Sequence, residues 1–186
     1  MRKTIYTILT ISLFACNSYK PIDNFLLPDN KEINDVIEAI IYQDCLPVVY
    51  TDSNREYVSI MPPLSADLVK YQYTFFPHQN DSGFFCSSDT SYIKFQNDTL
   101  KEFHIDKSLL SKMHWTTRQE IETKRQLENS IYYIEMTIPI FSLDNKKAYV
   151  RLINALGGLS GDTQAIYLEK INKKWTITRR RVLTIS

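Results

Sequence analysis

Apolar residues recur at every second position from Ile131 to Phe141. Tyr132, Ile134, Met136, Ile138 and Ile140 fall on one side, and Glu135, Thr137 and Pro139 on the other. That period predicts a strand with one buried and one wetted face. Pro139 cannot donate to a ladder, so the strand is expected at an edge or with a bulge there. Ser142 to Lys147 supplies turn chemistry through Asp144 and Asn145. A second strand, Ala148 to Leu156, sets Ala148, Val150, Leu152 and Leu156 against Tyr149, Arg151 and Ile153. Gln164 to Ile171 and a last strand from Trp175 complete an antiparallel meander, the economical topology for short sequential connections. Alternation along the last strand puts Arg179 and Arg181 on the side of Trp175 and Ile177.

The spacing changes near the start of the chain. Ile33, Val36, Ile37, Ile40 and Ile41 follow a helical stripe over Asp29 to Gln43. Asp29 and Glu32 stand at capping-box spacing, and Leu46-Pro47 ends the segment. Between helix and meander, Val48 to Tyr50, Tyr57 to Met61, Val69 to Phe76 and Tyr92 to Phe95 read as strands of a β-rich insertion. Phe103 to Asn129 reads as polar and helical. Asp106 stands before one turn, and Thr117 with Glu120 forms a second capping box. The expected fold is α+β: a curved antiparallel sheet packed on the N-terminal amphipathic helix, of the cystatin-like or NTF2-like type.

Residues 1–15 are of another kind. Arg2 and Lys3 precede a mostly apolar run from Ile5 to Phe14, far shorter than the roughly 20 residues that span a bilayer. Leu13-Phe14-Ala15-Cys16 closes it and resembles the lipobox of bacterial lipoproteins. That resemblance implies cleavage before Cys16 and acylation of Cys16 with diacylglyceryl and palmitate-type chains. Two or more chains give stable membrane attachment. The expected organisation is a signal peptide at 1–15, a lipidated tether at 16–28 and one α+β domain at 29–186. The location implied is the cell envelope, lipid-anchored in the outer membrane.

Composition narrows the class. The 186 residues carry 22 basic and 21 acidic side chains. Loss of Arg2 and Lys3 leaves about one net negative charge, which gives no electrostatic case for nucleic acid. Cys45 and Cys86 leave two readings for an exported protein: a disulfide, or two buried thiols.

Candidate chemistry centres on the loop Gly157, Gly158, Ser160, Gly161 and Asp162. Glycines there permit positive φ, and backbone N–H groups could form an anion nest. A hairpin loop that needs glycine to turn is the plainer reading, since the strand-to-helix context of a Walker loop or a nucleophile elbow is missing. His78, His104 and His114 have no partner at metal-ligand spacing. No metal or cofactor is expected.

The C-terminal segment is similar to that of small envelope lipoproteins of Bacteroidota-type bacteria. It is carried by Phe141-Ser142 and a polar turn, Ala148 and Val150, the glycines at 157, 158 and 161, and Lys174-Trp175 with Ile177. Many such proteins have cysteines flanking the glycine loop; Ala155 and Ser160 stand near those places here. Asp98-Thr99-Leu100 resembles the short O-glycosylation signal of the same bacteria. The resemblance implies no established activity. The expected function is a membrane-anchored, non-enzymatic module that binds an envelope protein or a ligand. The alternatives are an envelope hydrolase with its site in the concave sheet, using Asp162, Ser160 or a histidine, and an immunity-type protein.

Overall fold

In a computed structural model, the structure describes residues 25–43, 57–61, 83–100, 103–111, 115–127, 131–156 and 160–185. The elements in order are α1 (Asn30–Tyr42), β1 (Tyr57–Met61), α2 (Asp89–Thr99), α3 (Lys107–Leu110), α4 (Arg118–Leu127), β2 (Tyr132–Thr137), β3 (Ile140–Phe141), β4 (Lys147–Leu156), β5 (Gly161–Ile171) and β6 (Lys174–Ile185). They form an α+β fold with one curved sheet in the order β1-β2-β4-β5-β6, and β3 beside β4. Neighbouring strands run antiparallel except β1, which is parallel to β2. The expected signal segment, most of the tether, and the strands at Val48 to Tyr50 and Val69 to Phe76 lie outside the described residues.

The α1 stripe forms as its spacing predicts. Ile33, Val36, Ile37 and Ile40 are buried against Ile134, Met136, Ala148, Val150, Leu152, Ile166 and Leu168. Burying one such side chain is worth roughly 1.5–3 kcal/mol, so the stripe outweighs a cap worth about 1 kcal/mol. Asp29 caps the helix by accepting from the Glu32 backbone N–H at 2.7 Å. The Glu32 carboxylate leaves the helix for the sheet: Lys170 Nζ donates to both its oxygens at 2.7 Å, and the Trp175 indole N–H donates at 3.0 Å. At the other end Gln43 donates to Trp175 O and accepts from Ile177 N, both at 2.9 Å. Asn34, itself buried, donates to His104 O at 2.8 Å and accepts from Asp106 N at 2.9 Å, clipping the segment before α3 onto α1.

The strand expected over Ile131 to Phe141 is broken at Pro139. Met136 faces Leu152, whereas Ile140 faces Tyr149. One more residue is therefore spent on the β2–β3 side than on β4, which is a β-bulge. The buried N–H of Arg151 donates to Thr137 Oγ1 at 3.0 Å. The bulge also switches faces: Ile134, Met136 and Ile138 join the α1 core, whereas Ile140 joins Phe84, Ile93, Tyr149, Ala165 and Tyr167 on the opposite side. The expectation that Glu135 and Thr137 are wetted is corrected, since both are buried, Glu135 to 7% exposure. Both sides of the sheet are covered here.

Beyond the bulge, β3 is held by a side chain. Gln96 of α2 donates to Phe141 O at 2.8 Å and accepts from Phe141 N at 2.9 Å, with 0% exposure. The segment Tyr92 to Phe95, expected as a strand, is helical. Its buried set is Asp89, Tyr92, Ile93, Gln96 and Asn97, a helical face whose polar members hide the stripe from a hydrophobicity reading. Among the described residues the insertion thus contributes one strand and three helices. The α4 capping box forms as expected: Glu120 N donates to Thr117 Oγ1 at 3.3 Å, and Thr117 N to Glu120 Oε2 at 3.1 Å. Ile121 anchors this otherwise polar helix against Ile131 and Tyr133. In the β3–β4 turn Ser142 Oγ donates to Asp144 at 2.7 Å and accepts from Lys147 N at 3.0 Å, while Asn145 takes φ 55°. The Ser142 hydrogen bond is the main cause holding the Asp144 carboxyl below its usual range.

Candidate functional site at the β4–β5 end of the sheet

On the face that carries α1, the apolar core runs along β4 as Ala148, Val150 and Leu152, and along β5 as Leu168 and Ile166. The next positions of the same parity, toward the connection between these strands, are Asn154 on β4 and Gln164 and Asp162 on β5. Asn154 lies directly opposite Asp162 in register, and Leu152 opposite Gln164. The strand period that fills the core with aliphatics therefore ends in three polar side chains side by side.

These three bond to one another. Asn154 Nδ2 donates to Asp162 Oδ1 at 2.6 Å, and Gln164 Nε2 to Asp162 Oδ2 at 2.6 Å. Asp162 is half-buried and takes part in none of the ion pairs seen among the described residues, while Arg180, opposite Ile166, stands on the same face of the sheet. Each amide turns its nitrogen to the carboxylate, which leaves Asn154 Oδ1 and Gln164 Oε1 buried without a hydrogen-bond partner. An amide oxygen in that state costs about 1–3 kcal/mol. Register places β6 residues beside them: Val182 opposite Gln164 and Ile185 opposite Asp162, exposed by 49% and 82%.

Two residues of the expected binding loop belong to β5. Gly161 does not need positive φ; Gly83 is the described glycine that does. At Gly161 the reason for glycine is close approach, since a Cβ would lie 2.4 Å from Asn154 O. Ser160 is exposed. Gly157 and Gly158 lie outside the described residues, as do Cys16, His78 and His114. Asn154 and Gln164 had no motif in the sequence. The available signal was the polar break in the alternation of β4 and β5 next to Asp162.

The remaining candidates are placed elsewhere. Of the two cysteines offered for a disulfide, Cys86 carries a free, exposed thiol and Cys45 lies outside the described residues. Cys86 Sγ donates to Asp89 Oδ2 at 3.0 Å and lies 2.8 Å from Ser88 Oγ. His104 is exposed, with its backbone bonded to Asn30 and Asn34. Among the described residues no three His, Cys, Asp or Glu side chains gather as a metal site, and no helix is long and apolar enough to cross a membrane.

The arginine run is corrected. A register shift between Tyr167 and Leu168 sets Arg179 opposite Tyr167 and Arg181 opposite Ala165, on the face away from Trp175 and Ile177. The Arg179 guanidinium stacks 4.1 Å from the Tyr167 ring centroid and 5.7 Å from that of Phe84. Trp175 is core, edge-on to Phe141 at 5.6 Å. Compared with known proteins, the chain matches no family model, no curated protein and no solved structure.

Proposed function

We propose that this chain is a lipid-anchored protein of the cell envelope, held in the outer membrane through Cys16, whose α+β domain is a non-enzymatic binding module. The observation that carries the anchor is Leu13-Phe14-Ala15-Cys16 placed directly after a basic start and a short apolar run. Diacylation of the Cys16 thiol and acylation of the new N-terminus would supply the chains that stable attachment requires.

The binding half of the reading is supported by the Asp162 cluster. Its carboxylate is fixed by two amide donors and is only half-buried. Its register neighbours Val182 and Ile185 are exposed apolar side chains. Convergent polar groups beside apolar surface are what a ligand site requires. Near-neutral charge adds nothing for a nucleic-acid partner.

The test is the intact mass of membrane-extracted protein from its native host, beside Cys16→Ser. The expected mass begins at Cys16 and carries a diacylglyceryl group, with both the lipid and the membrane association lost in the variant. A soluble, unlipidated wild-type product would overturn the anchor.

A further inference from the structure

We propose that the outer edge of β6 takes up an extended, acidic segment of a partner protein as an added strand, paired along Arg179 to Val182. The proposal rests on the reading of the domain as a binding module. It names the surface and the chemistry of the partner, and does not depend on the Asp162 cluster.

Backbone geometry supplies the edge. Among the described residues β6 is the last strand of the sheet, and it is 12 residues long. At its start the outward groups are met by a side chain: Gln43 Nε2 donates to Trp175 O and Gln43 Oε1 accepts from Ile177 N, both at 2.9 Å, the pair of bonds that an added strand would make. Ile177 lies opposite Leu168, so Leu168 and every second residue of β5 from it, Ile166 and Gln164, turn their backbone groups toward β4. Their partners Arg180 and Val182 therefore direct N–H and C=O outward as Ile177 does. The two register shifts of the β5–β6 pair fall on either side of Arg179 to Val182, which leaves this stretch regular. A regular edge is a template for another strand.

Charge chooses the occupant. β6 carries Lys174, Arg179, Arg180 and Arg181 and no acidic residue. Opposite the three arginines on β5 stand Tyr167, Ile166 and Ala165, none of them acidic. Arg179 and Arg180 are exposed. Alternation sends Arg180 and Val182 to the face that carries α1, and Arg179 and Arg181 to the other. An acid on either face of an incoming strand thus meets a guanidinium. A second copy of β6 paired antiparallel over the same stretch would set Arg180 opposite Arg181, and like charges directly opposite are destabilising. The same arginines exclude a basic strand and admit an acidic one. Val182, 49% exposed, offers an apolar neighbour for a β-branched residue among the acids.

Isothermal titration of the purified full chain with the blocked peptide Thr-Glu-Glu-Val-Glu-Thr tests this. Parallel probes are the same peptide with lysine for glutamate, and the same peptide N-methylated at alternate residues, which keeps the charge and removes ladder donors. The acidic peptide is expected to bind saturably, and both controls about tenfold more weakly or not at all. Arg180→Glu changes an exposed side chain and should weaken binding about tenfold or more, the scale of one charge-assisted hydrogen bond. Val182→Pro removes an outward N–H and keeps the charge; it should weaken binding similarly, with a thermal midpoint near that of wild type. Equal binding of the N-methylated peptide would overturn strand addition. Binding retained in both variants would place the peptide elsewhere, overturning the β6 edge while keeping the binding module. A concentration-dependent dimer lost in Val182→Pro, without peptide binding, would make a second copy the occupant and overturn the acidic partner. No saturable binding of any peptide would overturn the proposal and leave the Asp162 cluster as the support for a binding module.

Discussion

At Gly161 a Cβ atom would sit 2.4 Å from the carbonyl oxygen of Asn154 on the facing strand. The obstacle is backbone in a paired ladder, so neither strand can yield without loss of register. Gly161→Ala is therefore expected to destabilise the protein by about 2 kcal/mol, in the range of overpacked sites. A urea midpoint unchanged from wild type would show that β4 and β5 separate easily here. A substitution at Ser160, exposed one residue earlier, should stay within about 0.5 kcal/mol. The same scale holds Asp162, whose position opposite Asn154 depends on the close approach that Gly161 permits.

Among the elements, β3 shows how a short piece of strand is kept in place. It has two residues, and the Pro139 bulge separates it from β2. Its outer backbone groups are taken by the Gln96 side chain, which acts as a one-residue strand. Gln43 does the same for Trp175 and Ile177 on β6. Gln96→Ala would leave the N–H and C=O of Phe141 without partners in a buried place, at about 1–3 kcal/mol for each group. The expected loss is about 3 kcal/mol. Thr117→Ala, which removes an exposed helix cap, should cost about 1 kcal/mol. Chemical denaturation of the two variants side by side checks the order. Equal losses would mean that α2 does not hold β3.

Across the whole molecule, α1 and the meander are stable through each other. The helix is 13 residues long, near the limit below which isolated helices are marginal in water. Its apolar stripe and the aliphatic face of β2, β4 and β5 bury one another. Ile37→Ala is expected to cost about 2–5 kcal/mol through lost burial and a residual cavity. Trp175 packs in the same cluster and donates to Glu32 of α1. Unfolding followed by tryptophan fluorescence should then remain one transition, with its midpoint moved down. A separate early transition in the variant would mean that α1 undocks while the sheet persists.

Local pattern was enough for much of this. The helix from Asp29, the capping box at Thr117 and Glu120, the strand at Tyr57 to Met61 and the four-strand meander were legible because each is written in a short period or a cap. Asp162 was legible as a candidate because it is an acid beside glycines. Other features depended on residues distant in sequence. The helix at Asp89–Thr99 was hidden because Asp89, Gln96 and Asn97 are buried polar groups, and their partners include Leu143 and Phe141, far along the chain. The side taken by Arg179 and Ile140 was decided by bulges, since one extra residue reverses every side chain after it. Asn154 and Gln164 joined Asp162 only when register brought β4 and β5 together. Sequence by itself determined the periodicities and caps, and so the elements of the α+β class. Tertiary structure decided which faces those elements share, because pairing register and buried hydrogen-bond partners are long-range properties that no local period encodes.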